Sequence, residues 1–180
     1  VKDSSIEAIR LIKNKGIKVI MLTGDNKANA LAINEKVKAN EVIANVLPED
    51  KLSYVKKYQE QGYIVGMVGD GINDSAALMA SNVGIAIGAG ADIAIESSDA
   101  ILASNDLMDV YNLIALSKDT IKTIKMNLFW AFFYNVITIP VACGILYPVG
   151  ITLTPMIGSA CMSLSSVTVV LNALRLKKFR

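Results

Sequence analysis

The chain has 180 residues, a formal net charge of +2, no histidine and two cysteines. That length allows one domain or slightly more, the near-neutral balance gives no bulk electrostatic reason to bind nucleic acid, and the lack of histidine removes the commonest transition-metal ligand. Asp, Glu, Lys and Arg are all absent from residues 126–174, so the chain divides into an α/β part up to about residue 125 and a membrane part after it. Cys143 and Cys161 both fall in the apolar window, make no Cys-x-x-Cys pair, and read as reduced packing residues. The sequence opens mid-pattern at Val1 with neither initiator Met nor signal peptide, and reads as an excised piece of something longer.

In chain order, Ser4-Ser5-Ile6-Glu7 has the form of a capping box, with Ser4 as N-cap and Glu7 reaching back. Ile6, Ile9, Leu11 and Ile12 form a helical apolar stripe, closed by Lys13, Lys15 and Gly16. Residues 18–22 (Lys-Val-Ile-Met-Leu) read as a buried parallel strand that ends in Thr23-Gly24-Asp25-Asn26. A helix follows over about 27–38. Residues 42–46 read as a short strand, and Pro48 suits the first turn of a helix running to Gln61. Lys51 then lies near that helix's N-terminus, where the dipole disfavours a cation unless it faces an anion.

Residues 63–68 form the next strand, which stops at Gly69-Asp70-Gly71 with Asn73 and Asp74 just beyond. Carboxylates at the C-terminal end of a parallel strand lie where open α/β sheets bind ligands. Acids packed this closely repel each other unless a hard cation such as Mg²⁺, which prefers oxygen donors, joins them. A helix starts near Ser75, a strand spans 83–87, Gly88-Ala89-Gly90-Ala91 turns the chain, 100–102 is a last strand, and 106–125 is helical. Alternating strands and helices imply βαβ units with right-handed crossovers. Three junctions, at Thr23, Lys51 and Asp70, bring a hydroxyl, an ammonium and carboxylates to one edge. That set suits a phosphoryl group plus Mg²⁺, because phosphoryl transfer needs mainly positioning and charge stabilisation.

Thr23-Gly24-Asp25-Asn26, Leu47-Pro48-Glu49-Asp50-Lys51 and Gly69-Asp70-Gly71-Ile72-Asn73-Asp74 resemble, in order and spacing, the phosphorylation domain of P-type ATPases, which has the haloacid-dehalogenase-like fold. The resemblance implies that Asp70 coordinates Mg²⁺, with Asn73 and Asp74 supporting the metal and phosphoryl site. It also implies that Thr23 and Lys51 contact the phosphoryl group and that Asp25, after Gly24, helps position nucleotide or hinge. Ala76 departs from the family, which commonly has proline there; the expected effect is on loop stiffness. A larger departure is that the Asp-Lys-Thr-Gly-Thr segment bearing the family's nucleophile, and the nucleotide domain that follows it, are not in this sequence. The expectation is that this segment alone cannot phosphorylate itself.

Residues 126–147 carry no formal charge and span roughly 33 Å at helical rise, against a hydrocarbon core of about 30 Å. Pro148-Val149-Gly150 makes a tight turn, and residues 151–174 form a second span. Lys118, Lys122 and Lys125 precede this hairpin, and Arg175, Lys177, Lys178 and Arg180 follow it, so the positive-inside rule places both ends in the cytoplasm. Tyr134, Asn135 and Ser166 lie roughly 14 Å from the nearest charged end and Met162 roughly 20 Å. Polar groups at such depth are functional candidates. Met162 and Ser166 share a helix face, and a thioether is a soft ligand suited to Cu(I); the bland alternative is interhelical packing.

Phe133-Tyr134-Asn135 and Met162-Ser163-Leu164-Ser165-Ser166 resemble the Tyr-Asn and Met-x-x-Ser-Ser signatures of the copper-transporting subgroup of P-type ATPases, on its last two transmembrane helices. The resemblance implies that Tyr134, Asn135, Met162 and Ser166 contact Cu(I). Zinc or cadmium pumps would carry charged residues in this window, and it has none. The family's Cys-Pro-Cys pair is not in this sequence.

The expectation is therefore an α/β, haloacid-dehalogenase-like parallel-sheet domain followed by a two-helix transmembrane hairpin. Its parts are half of a phosphorylation domain (1–105), a linking helix (106–125), two spans (126–147 and 151–174) and a basic cytoplasmic tail (175–180). The resemblance implies a multi-pass plasma-membrane pump for Cu(I) or Ag(I) that uses ATP through a domain not in this sequence. Mg²⁺ would be its cofactor, the lipid bilayer its surroundings, and a copper chaperone a candidate partner. Two alternatives are a membrane-anchored dehalogenase-like phosphatase and a non-catalytic membrane anchor; intact Thr23, Lys51, Asp70, Asn73 and Asp74 argue against decay.

Overall fold

The computed structural model describes residues 1–70, 73–88, 96–150 and 154–178. Gly71 and Ile72 of the acidic loop, residues 89–91 of the expected turn, residues 151–153 at the start of the second span, and Arg180 of the basic tail lie outside the described residues. The chain forms two compact units, Val1–Leu113 and Ile114–Arg180.

The first unit runs α1 (Asp3–Asn14), β1 (Ile20–Leu22), α2 (Lys27–Val37), β2 (Glu41–Ile43), α3 (Pro48–Glu60), β3 (Gly66–Gly69), α4 (Ser75–Ala80), β4 (Val83–Ile87) and β5 (Ala100–Leu102), and ends in the start of α5 (Leu107–Ala142). All strand pairs are parallel. Among the described residues they form two ladders, β1-β2 and β3-β4-β5, so β4 is paired on both edges and β1, β2, β3 and β5 on one edge each.

Of the stripe expected on α1, Ile9 and Ile12 are buried and Ile6 and Leu11 are half-buried, and Ala8 is buried beside them. The capping box does not form. The helix starts earlier, with Lys2 at the N-cap and no side-chain cap. Glu7 turns to Arg10 instead, accepting from its Nε at 2.8 Å and its Nη2 at 2.6 Å. A two-point guanidinium contact outcompetes a single bond from a backbone N–H.

Three strands are shorter or shifted relative to the apolar runs that encode them, each because a specific bond takes the flanking backbone. Val19 N–H is bound by Asn40 Oδ1 at 2.9 Å, so β1 begins at Ile20. Asn45 adopts a left-handed φ of 55° and turns the chain just after β2. Tyr63 belongs to the end of α3. Gly62, at φ +86°, donates to the Gln59 carbonyl at 2.9 Å, and Tyr63 N–H donates to the Tyr58 carbonyl at 3.1 Å. That pair of bonds is a Schellman motif, and the Tyr58 and Tyr63 rings meet edge-on at 6.2 Å. The ladder of β3 therefore starts at Gly66.

At the N-terminal end of the β1-β2 pair, Lys18 Nζ donates to Glu41 Oε2 at 2.8 Å and lies 5.3 Å from the centre of the Tyr58 ring. Lys18, and after it the Tyr58 hydroxyl, hold the Glu41 carboxyl below its usual range. A lowered carboxyl pKa contributes stability above the unfolded-state value, and this is lost as pH falls through the folded-state value. Glu41→Gln is therefore expected to lower the melting temperature of the intact protein at neutral pH by a small amount, since exposed pairs are screened. The difference from the parent should close in acid below the carboxylate range; a difference of unchanged size there would assign the loss to packing.

In the second unit α5 continues without a break to Ala142, and α6 spans Pro155–Ala173. Both helices are long and apolar enough to cross a membrane, with mean hydropathy 1.2 and 1.6. Helix α5 stops short of Tyr147 for a local reason. Gly144, at φ +86°, donates to the Val141 carbonyl at 3.1 Å, and Ile145 N–H donates to the Pro140 carbonyl at 3.2 Å, a second Schellman stop. A 3-10 turn at Tyr147–Val149 with Gly150 left-handed makes the expected bend. Thr154 caps α6 by accepting from Ile157 N–H at 3.3 Å.

Candidate functional site

Helix α3 begins with Pro48 at its first turn, which places Lys51 one turn in. Val55 follows on the same helix face and is buried with Met67 of β3 and Ala77 and Leu78 of α4. This small core fixes α3 against α4. It thereby sets Lys51 beside Asp74, the residue preceding α4.

Lys51 Nζ donates to Asp74 Oδ1 at 2.5 Å, with the two side chains only 18% and 10% exposed. The anion that the position of Lys51 calls for is thus Asp74. The pairing is a through-space contact across 23 positions. The Asp74 carboxylate folds over the end of β3. A Cβ on Gly69 would overlap that carboxylate and lie 2.8 Å from the Asp74 Cβ, so glycine is what allows this close approach. Asp70, next to Gly69, and Asn73, next to Asp74 in the chain, are exposed.

The Thr23 turn is built by the chain around it. Thr23 N–H donates to the Ile43 carbonyl and Val46 N–H to the Thr23 carbonyl, both at 3.0 Å. Thr23 Oγ1 donates to Asp25 Oδ2 and accepts from Asp25 N–H, both at 3.1 Å. Gly24 is not among the glycines of positive φ, and a Cβ there would meet the Val46 carbonyl at an ordinary 3.5 Å. Asn26 caps α2, accepting from Asn29 N–H at 2.9 Å.

Among the described residues no group of three or more His, Cys, Asp or Glu forms a metal cage. Mg²⁺ is ordinarily held by one or two carboxylates, with water and substrate phosphate completing its shell. Asp70, with the amide oxygen of Asn73, offers exposed hard-oxygen donors of that kind, and the donor set fits such an ion.

In the second unit several polar side chains inside the apolar window bond back to their own helices, as expected where no water is at hand. Ser166 Oγ donates to the Met162 carbonyl at 3.1 Å, and Asn135 Nδ2 donates to the Ala131 carbonyl at 3.0 Å. Tyr134 is half-buried beside Trp130, ring centres 6.4 Å apart. Met162 is 73% exposed. Cys143 is exposed at the end of α5 and Cys161 is half-buried, both as free thiols. Asn127 and Asn172 escape a reading based on signatures: Asn172 Nδ2 donates to Asn127 Oδ1 at 2.7 Å across the hairpin. Their signal was an amide near the same end of each charge-free span.

Residues 1–82 match the haloacid dehalogenase-like hydrolase family. The chain is 54% identical over 178 residues to copper-transporting ATPase 2 of Rhizobium meliloti, covering 98% of this chain and 22% of that protein. It is 47% identical over 181 residues to the silver exporting P-type ATPase of Salmonella typhimurium, covering 100% and 22%. Among solved structures, a crystal structure of a zinc-transporting PIB-type ATPase superposes with a TM-score of 0.83 at 35% identity, covering 98% of this chain and 28% of that one. The chain spans about a fifth of the length of these curated relatives.

Proposed function

We infer, from a chain that belongs to the P-type ATPase family, that it forms the metal-binding edge of the phosphorylation site and two transmembrane helices of a pump that exports Cu(I). The observation that carries this reading is the joining of two chemistries on one chain. Lys51 and Asp74 are locked together at the strand end bearing Asp70, and two apolar helices carry Tyr134, Asn135, Met162 and Ser166.

In this reading the nucleophilic aspartate and the nucleotide domain belong to the rest of the pump. Mg²⁺, when bound, neutralises charge on the phosphoryl oxygens. Asp70 would hold it, with Asp74 behind as a second carboxylate. Lys51, held by Asp74, presents its remaining ammonium protons to a phosphoryl oxygen. Thr23 Oγ1 turns from the Asp25 carboxylate to the same group. Asn73 supports the loop, and Gly24 and Asp25 position nucleotide or the hinge beside it. Each of these acts through placement and fixed charge, the two contributions phosphoryl transfer draws on. Met162 supplies a soft thioether to Cu(I), with Tyr134, Asn135 and Ser166 as further contacts. Ag(I), equally soft, is the second cargo this set suits, and one relative is named for silver export. A charge-free window disfavours a divalent cargo.

Met162→Leu keeps volume and removes the sulfur. In the intact pump it should weaken Cu(I)-stimulated ATP hydrolysis by about tenfold while phosphorylation by inorganic phosphate continues. Undiminished Cu(I) stimulation would exclude Met162 as a ligand. Inorganic-phosphate labelling with no response to any metal in the parent would favour a membrane-anchored phosphatase.

A further inference from the structure

Within the hairpin, α5 and the end of α6 line an open groove of about 780 Å³, in the ~300–1,000 Å³ range of sites that take small ligands. Its lining is graded. Lys122, Met126 and Trp130 line it from α5, and Arg175, Leu171 and Thr168 from α6 and the turn after it. Within the first trio each residue lies one helical turn beyond the last on one face. The same spacing relates Arg175 to Leu171. Both stripes begin with a cation and run into the charge-free window. The Asn127–Asn172 hydrogen bond joins the two helices beside the groove. Asp119 stands on the same charged rim.

We propose that this groove binds an anionic phospholipid of the surrounding bilayer, its phosphate on Lys122 and Arg175 and its glycerol and upper chains along Met126, Trp130 and Leu171. The match is one of charge and of polarity along the groove. Two cations meet a phosphodiester, basic pockets between transmembrane helices are suited to such head groups, and an indole is at home at the depth where head group gives way to chain. Asp119 selects among anions: it opposes a second negative charge and accepts hydrogen bonds from hydroxyls, favouring a singly charged, hydroxylated head group such as phosphatidylglycerol. The inference rests on reading α5 and α6 as membrane spans, and is independent of the cargo.

The test is native mass spectrometry of the intact pump titrated with phosphatidylglycerol and phosphatidylcholine of the same chains. The expected result is retention of phosphatidylglycerol over phosphatidylcholine, lowered roughly tenfold or more in Lys122→Gln/Arg175→Gln. Asp119→Asn, which removes a charge from an exposed position, should strengthen retention of phosphatidic acid, a more highly charged lipid titrated in the same way; it tests the groove even if the double variant fails to assemble. Equal retention of the two lipids by the parent, or retention that neither substitution alters, overturns the proposal. Displacement of the lipid by millimolar inorganic phosphate also overturns it, since the site would then be one for a free anion. Resistance of the pump to alkaline carbonate extraction reports membrane insertion separately, so loss of lipid selectivity and loss of the spanning reading give different results.

Discussion

Replacing Asp70 by Asn in the intact pump is expected to remove Mg²⁺-dependent turnover, by at least about 100-fold, with the melting temperature almost unmoved. Asn preserves the size and one acceptor oxygen of the carboxylate and removes its charge. Asp70 is exposed just past the end of β3, outside the core of Val55, Met67, Ala77 and Leu78 that holds α3 to α4, so Asn at this position leaves that core in place. The measurement is steady-state ATP hydrolysis against Mg²⁺ concentration, beside a thermal unfolding curve. Loss of turnover without a melting shift places Asp70 at the metal. Normal turnover would remove it from that role.

Lys51→Met should cost both activity and stability. It leaves the Asp74 carboxylate without its cation in a site only 10% exposed. Removing one partner of a buried pair costs about 3–5 kcal/mol, and partial solvent access to this pair points to the lower end, roughly 3 kcal/mol. Two apolar residues of similar volume are often tolerated where an ion pair stood. The double variant Lys51→Met/Asp74→Leu should therefore regain most of the lost stability in denaturant unfolding. Phosphorylation by ATP should stay absent in both variants, because the ammonium is gone. A double variant that regains phosphorylation along with stability would reduce Lys51 to a structural role.

The legibility of the sequence differed from element to element. Strands β4 and β5 lie where their apolar runs lie. The first three strands differ from their runs at the ends, where residues make bonds elsewhere: Asn40 onto Val19, Asn45 in a left-handed turn, Tyr63 in the cap of α3. Two of the cues were present as glycines. Gly62 and Gly144 mark Schellman stops, one just before the 63–68 run and one inside the 126–147 run, which therefore carries two elements. At the candidate site, the order of strands and helices led to the expectation that Thr23, Lys51 and Asp70 share one edge. It could not tell that Lys51 is held by Asp74, since that contact depends on the packing of α3 against α4, which no local pattern encodes. The Asn127–Asn172 bond was hidden for the same reason, each amide being unexceptional until the two helices are set side by side.

The one-sided pairing of β1 and β3 has a practical consequence for handling the protein in pieces. A strand edge with unclaimed N–H and C=O groups is a template for another chain. Among the described residues neither strand contains a proline, and β3 presents a Gly-Met-Val-Gly run. Copies of this 180-residue chain in solution are expected to add strands to one another along those edges. Clumping that detergent cannot relieve would then originate in the sheet and not in the membrane helices, and charged or prolyl substitutions along the exposed edges would be the remedy.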